Sequence, residues 1–149
     1  MKANNIGQDK PRGRILIVDD LANWREVLAN VLIEDGHTVY SAADPSQALD
    51  LLARMPVDVA ILDLRLQDKD MYDVRGVRLL EDIRATSPGT CVVMITGFPS
   101  DEFLGKLDSI YHVDAFWLKN PAEYRFDIES FSQKIRALVN RSRQYRRQE

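Results

Sequence analysis

The chain has 149 residues, 45% of them hydrophobic and 29% charged, with a formal net charge of −3. That size and balance fit one globular domain with a full core, and the weak negative charge gives no global reason to expect nucleic-acid binding. With no apolar run of roughly 18 residues, no signal-type amino terminus and a single cysteine, Cys91, the sequence predicts a cytoplasmic protein with no membrane contact and no internal disulfide.

Residues 1–13 are polar and without an apolar period, and read as a disordered lead. The domain is expected over 14–140, with 141–149 a basic tail or linker. Ile15-Leu16-Ile17-Val18 reads as a strand buried on both faces, and it ends in two acids, Asp19 and Asp20. Leu21, Trp24, Val27, Leu28, Val31 and Leu32 then recur at helical spacing up to Gly36, a helix stop. Thr38 to Ala42 is a short strand. Asp44 follows as N-cap and Pro45 as the first residue of a helix through Ala48, Leu49, Leu51 and Leu52. The run Val57 to Leu62 is again apolar and delivers Asp63 at its exit.

Beyond a loop, a helix is predicted from about Val74 to Ala85, with Val77, Leu80 and Ile83 inward and Ser87-Pro88-Gly89 as its stop. Cys91 to Ile95 is the fourth strand and closes on Thr96-Gly97, after which Ser100 and Asp101 open a helix carrying Phe103, Leu104, Leu107 and Ile110. Ala115 to Leu118 is the fifth strand and delivers Lys119. A last helix from about Asp127 carries Ile128, Phe131, Ile135 and Leu138. Five strands alternating with five helices over short connections describe an α/β protein with a doubly wound parallel sheet.

Such sheets place their chemistry at the carboxyl ends of the strands, and Asp19, Asp20, Asp63, Thr96 and Lys119 all fall at that edge. Two carboxylates about 4 Å apart repel by roughly 4 kcal/mol at an effective dielectric of about 20, so three of them require a cation. Oxygen ligands with room for water suit Mg2+, and Lys119 adds a fixed positive charge. One acid at a strand end would simply be solvated, but polar residues at matching ends of four strands point to function.

In this order the motifs resemble the receiver domains of two-component response regulators, over about residues 14–138. They are the pair Asp19-Asp20, the acid in Ala60-Ile61-Leu62-Asp63, the pair Thr96-Gly97, and Phe116 three residues before Lys119. The resemblance implies a flavodoxin-like fold and phosphoryl transfer to Asp63 from a sensor histidine kinase or phosphotransfer protein. It implies Mg2+ held by Asp20, Asp63 and the main-chain carbonyl of Arg65, with Asp19 acting largely through water. Thr96 and Phe116 would form the switch. The helix from Ser100, the fifth strand and the last helix would dock a downstream protein or a second copy, with no nucleic-acid contact. The chain would then be a switch and not an enzyme, beyond self-phosphotransfer and slow autodephosphorylation. The alternative is a magnesium-dependent aspartate-nucleophile phosphatase, which uses a similar sheet but usually wants a second acid two residues on, where Arg65 stands.

Three features depart from the family pattern: a long loop from Leu64 to Arg75, Asn120 between Lys119 and Pro121, and phenylalanine at 116. Asp68, Asp70 and Asp73 resemble a calcium loop only loosely, since residue 12 counted from Asp68 is Leu79. His37 and His112 have no metal-spaced partners and read as surface or cap residues, while Trp24 and Trp117 read as core. The five arginines between Arg136 and Glu149 complement a helix carboxyl end, or continue it as an extended helix or linker.

Overall fold

Three runs of consecutive apolar residues make the middle of the sheet: β1 (Arg14–Val18), β3 (Val59–Asp63) and β4 (Cys91–Thr96). In the computed structural model, residues 12–19, 21–63, 74–96, 112–118 and 127–148 are described. The remaining elements are α1 (Ala22–Glu34), β2 (Thr38–Ala42), α2 (Pro45–Arg54), α3 (Val74–Thr86), β5 (Ala115–Leu118) and α4 (Ile128–Arg147). The helix expected from Ser100 lies outside the described residues, so four of the five predicted helices are seen. All neighbouring strands are parallel, in the order β2-β1-β3-β4-β5.

Because side chains alternate along a strand, the sheet divides its residues between two cores. Leu16, Val18, Ala60, Leu62, Val92 and Met94 face α2 and α3, where Ala48, Leu52, Leu79, Leu80 and Ile83 meet them. Ile15, Ile17, Val59, Ile61, Val93 and Ile95 face α1 and α4, packing on Leu28, Leu32, Phe131, Ile135, Leu138 and Val139. Cys91 is a buried thiol on this second side, its Sγ donating to the Leu138 carbonyl at 3.6 Å. Trp24 and Trp117 are half-buried there, and Trp117 meets Phe131 edge-on at 5.2 Å.

The local signals act as their chemistry dictates. Gly36, at φ 97°, ends α1, with its N–H donating to Ile33 and that of His37 to Leu32; this pairing satisfies the last carbonyls of the helix. Asp44 caps α2 by accepting from the Gln47 amide at 2.9 Å, and Asp127 caps α4 through Ser130. Two apolar residues that the helical period assigns to the core are instead about half exposed, Val27 and Ile128 at 52% each. Leu28 and Leu32 already fill the strip of α1 that meets the sheet, and Val27 stands beside it. Residues 141–147 continue α4, and Ser142 within them is buried.

Local spacing marks His37 as a surface or cap residue, but the structure buries it to 4% exposure. Its Nδ1 accepts the Gly13 amide at 2.9 Å, which requires an unprotonated nitrogen there. Among the described residues, its Nε2 and Asp35 Oδ2 are buried without hydrogen-bond partners. Burial lowers the His37 pKa below its ordinary 6.5, opposed by Asp35 and Asp58 and reinforced by Arg136 and Arg143. A histidine whose pKa is lowered by folding contributes fully above 6.5 and loses that contribution as pH falls from there toward the folded value. Urea midpoints should therefore drop between about pH 7.5 and 5.5, and His37→Gln should flatten that part of the profile; a variant with the wild-type slope would remove His37 as the cause.

Candidate functional site

The edge where the strands end is assembled by register. Val18 pairs with Leu62, so the next residues, Asp19 and Asp63, leave neighbouring strands at the same level, about 5 Å apart by strand spacing. Both are buried, at 2% and 3% exposure. An ionised carboxylate is withdrawn from water only where donors or cations meet it. For Asp19, Oδ1 accepts the Leu21 amide at 2.9 Å, and its carbonyl accepts Arg25 Nη1 at 2.6 Å. Its own amide donates to Ala42 at 3.1 Å, tying β1 to β2 at the exit.

On the other side of β3, Asp63 lies opposite Ile95, and Thr96 is the next and last residue of β4. Thr96 in turn pairs with Leu118, the final residue of β5. The Thr96 side chain, Asp20, Arg65 and Lys119 lie outside what is described; Asp20 directly follows Asp19 in the chain, and Lys119 directly follows Leu118. Residues 64–73 of the loop expected after Asp63 also lie outside it, whereas Val74 and Arg75, expected as its end, already belong to α3. Phe116 is opposite Met94, half-buried against the core that faces α2 and α3.

Among the described residues, no group of three or more His, Cys, Asp or Glu side chains is placed to hold a metal ion. Asp19 and Asp63 nevertheless supply two buried carboxylates at adjacent strand ends, an oxygen-only donor set that suits a hard cation such as Mg2+. The residues present fit the ion.

At the opposite end of the sheet is a polar cluster that the sequence reading missed. Asp58, buried just before β3, accepts the Arg14 amide at 2.8 Å and Arg146 Nη1 at 2.7 Å, with Ser142 Oγ at 3.4 Å. Arg146 also donates to the Val57 carbonyl, and Ser142 to that of Gly89 at 2.6 Å. Asp114, before β5, accepts the Val92 amide at 2.7 Å and pairs with Arg84 and Arg141. A charged residue inside the apolar run from Val57 to Leu62 was the one available signal.

Residues 15–114 match the family model of the response regulator receiver domain. The chain belongs to that family. A putative response regulator NtrX-like protein of Rickettsia bellii is 39% identical to this receiver domain over 83 residues, 56% of this chain and 17% of that protein. The match thus spans about a sixth of such a relative's length. Sporulation initiation phosphotransferase F of Bacillus subtilis is 25% identical over 123 residues, covering 83% of this chain and 90% of that protein. Among solved structures, a CheY-like receiver domain protein from Methanospirillum hungatei JF-1 matches with a TM-score of 0.73 at 25% identity, covering 90% of this chain and 98% of that one. The response regulator TrrA from Thermotoga maritima, in complex with Mg(2+)-BeF, matches with a TM-score of 0.67 at 25% identity, covering 85% and 98%.

This receiver domain is therefore a module of two-component signal transduction with the doubly wound parallel sheet of its family. The phosphatase alternative finds no support in these likenesses. No helix among the described residues is long and apolar enough to cross a membrane.

Proposed function

We propose that this receiver domain accepts a phosphoryl group on Asp63 from a phosphohistidine, on a sensor histidine kinase or a phosphotransfer protein, and thereby switches a protein-interaction face. The observation that carries the proposal is the placement of Asp63, buried at the exit of the central strand and level with Asp19 on the next. An Asp63 oxygen attacks phosphorus, the bond from phosphorus to the imidazole breaks, and the imidazole nitrogen keeps that electron pair and takes up a proton. The product is an acyl phosphate.

Such a transfer needs mainly positioning and charge neutralisation. Asp20, Asp63 and the Arg65 carbonyl would hold Mg2+, with Asp19 acting through water. The ion, when bound, neutralises charge on the phosphoryl oxygens. Lys119 adds a second positive charge, and Thr96, at the end of the strand beside Asp63, offers a hydroxyl. The domain is then a substrate and a switch, whose own chemistry stops at self-phosphotransfer and slow loss of the group.

The test is incubation with Mg2+ and a small acyl phosphate. One base-labile phosphoryl group on the peptide containing Asp63 is expected by mass spectrometry, and the absence of any such adduct overturns the proposal. Asp20→Ala should weaken Mg2+ binding by about tenfold more than Asp19→Ala, since only the former ligates directly; equal affinities by titration would reverse that assignment.

The switch rests on Thr96 and Phe116. Phosphoryl oxygens draw the Thr96 hydroxyl, and the phenylalanine ring fills the space it leaves, remodelling the segment from Ser100, β5 and α4, where a downstream protein or second copy docks. Thr96→Ala should still be labelled, yet amide shifts across residues 100–119 should no longer follow phosphorylation. Shifts equal to wild type would exclude Thr96 from the relay.

A further inference from the structure

The start of α1 is poorly built as a helix end. Its N-cap is Leu21, which has no side-chain cap hydrogen bond, and its first turn contains no acidic residue. Arg25 stands instead at the fourth helical position, where a cation opposes the helix dipole. The half-buried side chain reaches back out of the helix, and Nη1 donates to the Asp19 carbonyl at 2.6 Å. Nothing in helix formation asks for this arrangement.

The bond has a particular place in the chain. The Asp19 carbonyl belongs to the peptide group that leads into position 20, and the Leu21 amide to the group that leads out of it. Arg25 holds the first, and Asp19 Oδ1 holds the second at 2.9 Å. The Asp19 amide, bonded to the Ala42 carbonyl, anchors Asp19 itself to β2. The geometry points to Arg25 as a positioning residue that sets how the acidic pair is presented to a divalent cation and, through it, to the phosphoryl group. This rests on the proposed phosphoacceptor reading and extends it to a residue outside the acid, hydroxyl and lysine motifs.

Two effects of Arg25 would act in opposite directions. If its charge alone mattered, removing it would relieve repulsion and tighten Mg2+ binding. If its hydrogen bond matters, removing it frees the peptide group before position 20, and binding weakens. Arg25→Met removes charge and donor while keeping an unbranched apolar stem; Arg25→Lys keeps both charge and a donor.

The experiment titrates the full chain with MgCl2 by calorimetry, alongside thermal unfolding in metal-free buffer and labelling of Asp63 by a small acyl phosphate at saturating Mg2+. Arg25→Met should weaken Mg2+ by about tenfold, as loss of an outer-shell partner does elsewhere, with Arg25→Lys restoring most of it. Without metal, amide exchange at Leu21 should rise in Arg25→Met and return in Arg25→Lys. Tighter or unchanged Mg2+ binding in Arg25→Met overturns the inference, and so does a lowered unfolding temperature with unchanged affinity. Wild-type protein that binds Mg2+ with this split but takes up no phosphoryl group at Asp63 would overturn the phosphoacceptor reading and leave the positioning role standing. Wild-type protein that binds no Mg2+ would overturn both.

Discussion

Asp63→Asn is expected to take phosphoryl uptake at this position from one group per chain to none, while circular dichroism and the urea midpoint show an intact fold. Asparagine keeps the shape of aspartate, but its amide lacks the anionic oxygen that attacks phosphorus. The fold should survive because β3 is held by its neighbours on both sides, through Val59 to Leu62, before the chain reaches position 63. The same substitution removes one of two buried carboxylates at the sheet edge, so Mg2+ affinity should fall with it. Labelling of another residue at the wild-type rate would show that Asp63 is not the acceptor.

Arg146→Ala should cost about 3 kcal/mol of stability, the usual result of removing one partner from a buried ion pair. Asp58 is 3% exposed, so the carboxylate left behind stays in a poorly solvated place with, among the described residues, the Arg14 amide and the distant Ser142 hydroxyl as its remaining donors. The Val57 carbonyl loses its guanidinium donor as well. The loss should appear as a lower urea midpoint with an unchanged slope. Adding Asp58→Ala should harm the protein less than the two single changes summed, since the second removes the charge that the first stranded. A single-variant loss below about 1 kcal/mol, the range of exposed pairs, would mean that apolar packing holds the end of α4 instead.

Arg146 also bears on where the folded unit ends. Composition sets residues 141–149 apart as a basic tail, because arginines crowded near a chain end have an adequate local explanation in the helix dipole. The structure gives two of them specific acids, Arg141 with Asp114 and Arg146 with Asp58, both at the amino-terminal edge of the sheet. Gly13 belongs to the same corner: a Cβ there would come within 2.5 Å of Val139, and its amide is the donor to His37. Packing thus already involves the residue before the expected domain start at position 14, and it continues past 140.

Local features were legible because their causes are local. Gly36 stops α1 and Asp44 starts α2 through bonds that span a few residues, and unbroken apolar runs imply strands covered on both faces. The positions of Asp19, Asp63 and Thr96 at strand ends followed from those runs, and the strand register then brought all three to one edge. Val27 and Ile128 were misplaced because a helical period gives a face but not the width of the strip that a neighbour covers.

By itself, then, the sequence determined the alternation of strands and helices, the caps, and the acids and hydroxyl at the strand exits, since periodicity and capping act over a few residues. Only the tertiary structure decided which buried polar groups meet. Asp58 and Arg146 are 88 residues apart, Gly13 and His37 are 24 apart, and no local pattern links either pair. Their contacts exist because sheet register and the seating of α4 bring distant polar groups into a space where water no longer satisfies them, and there each must find a partner.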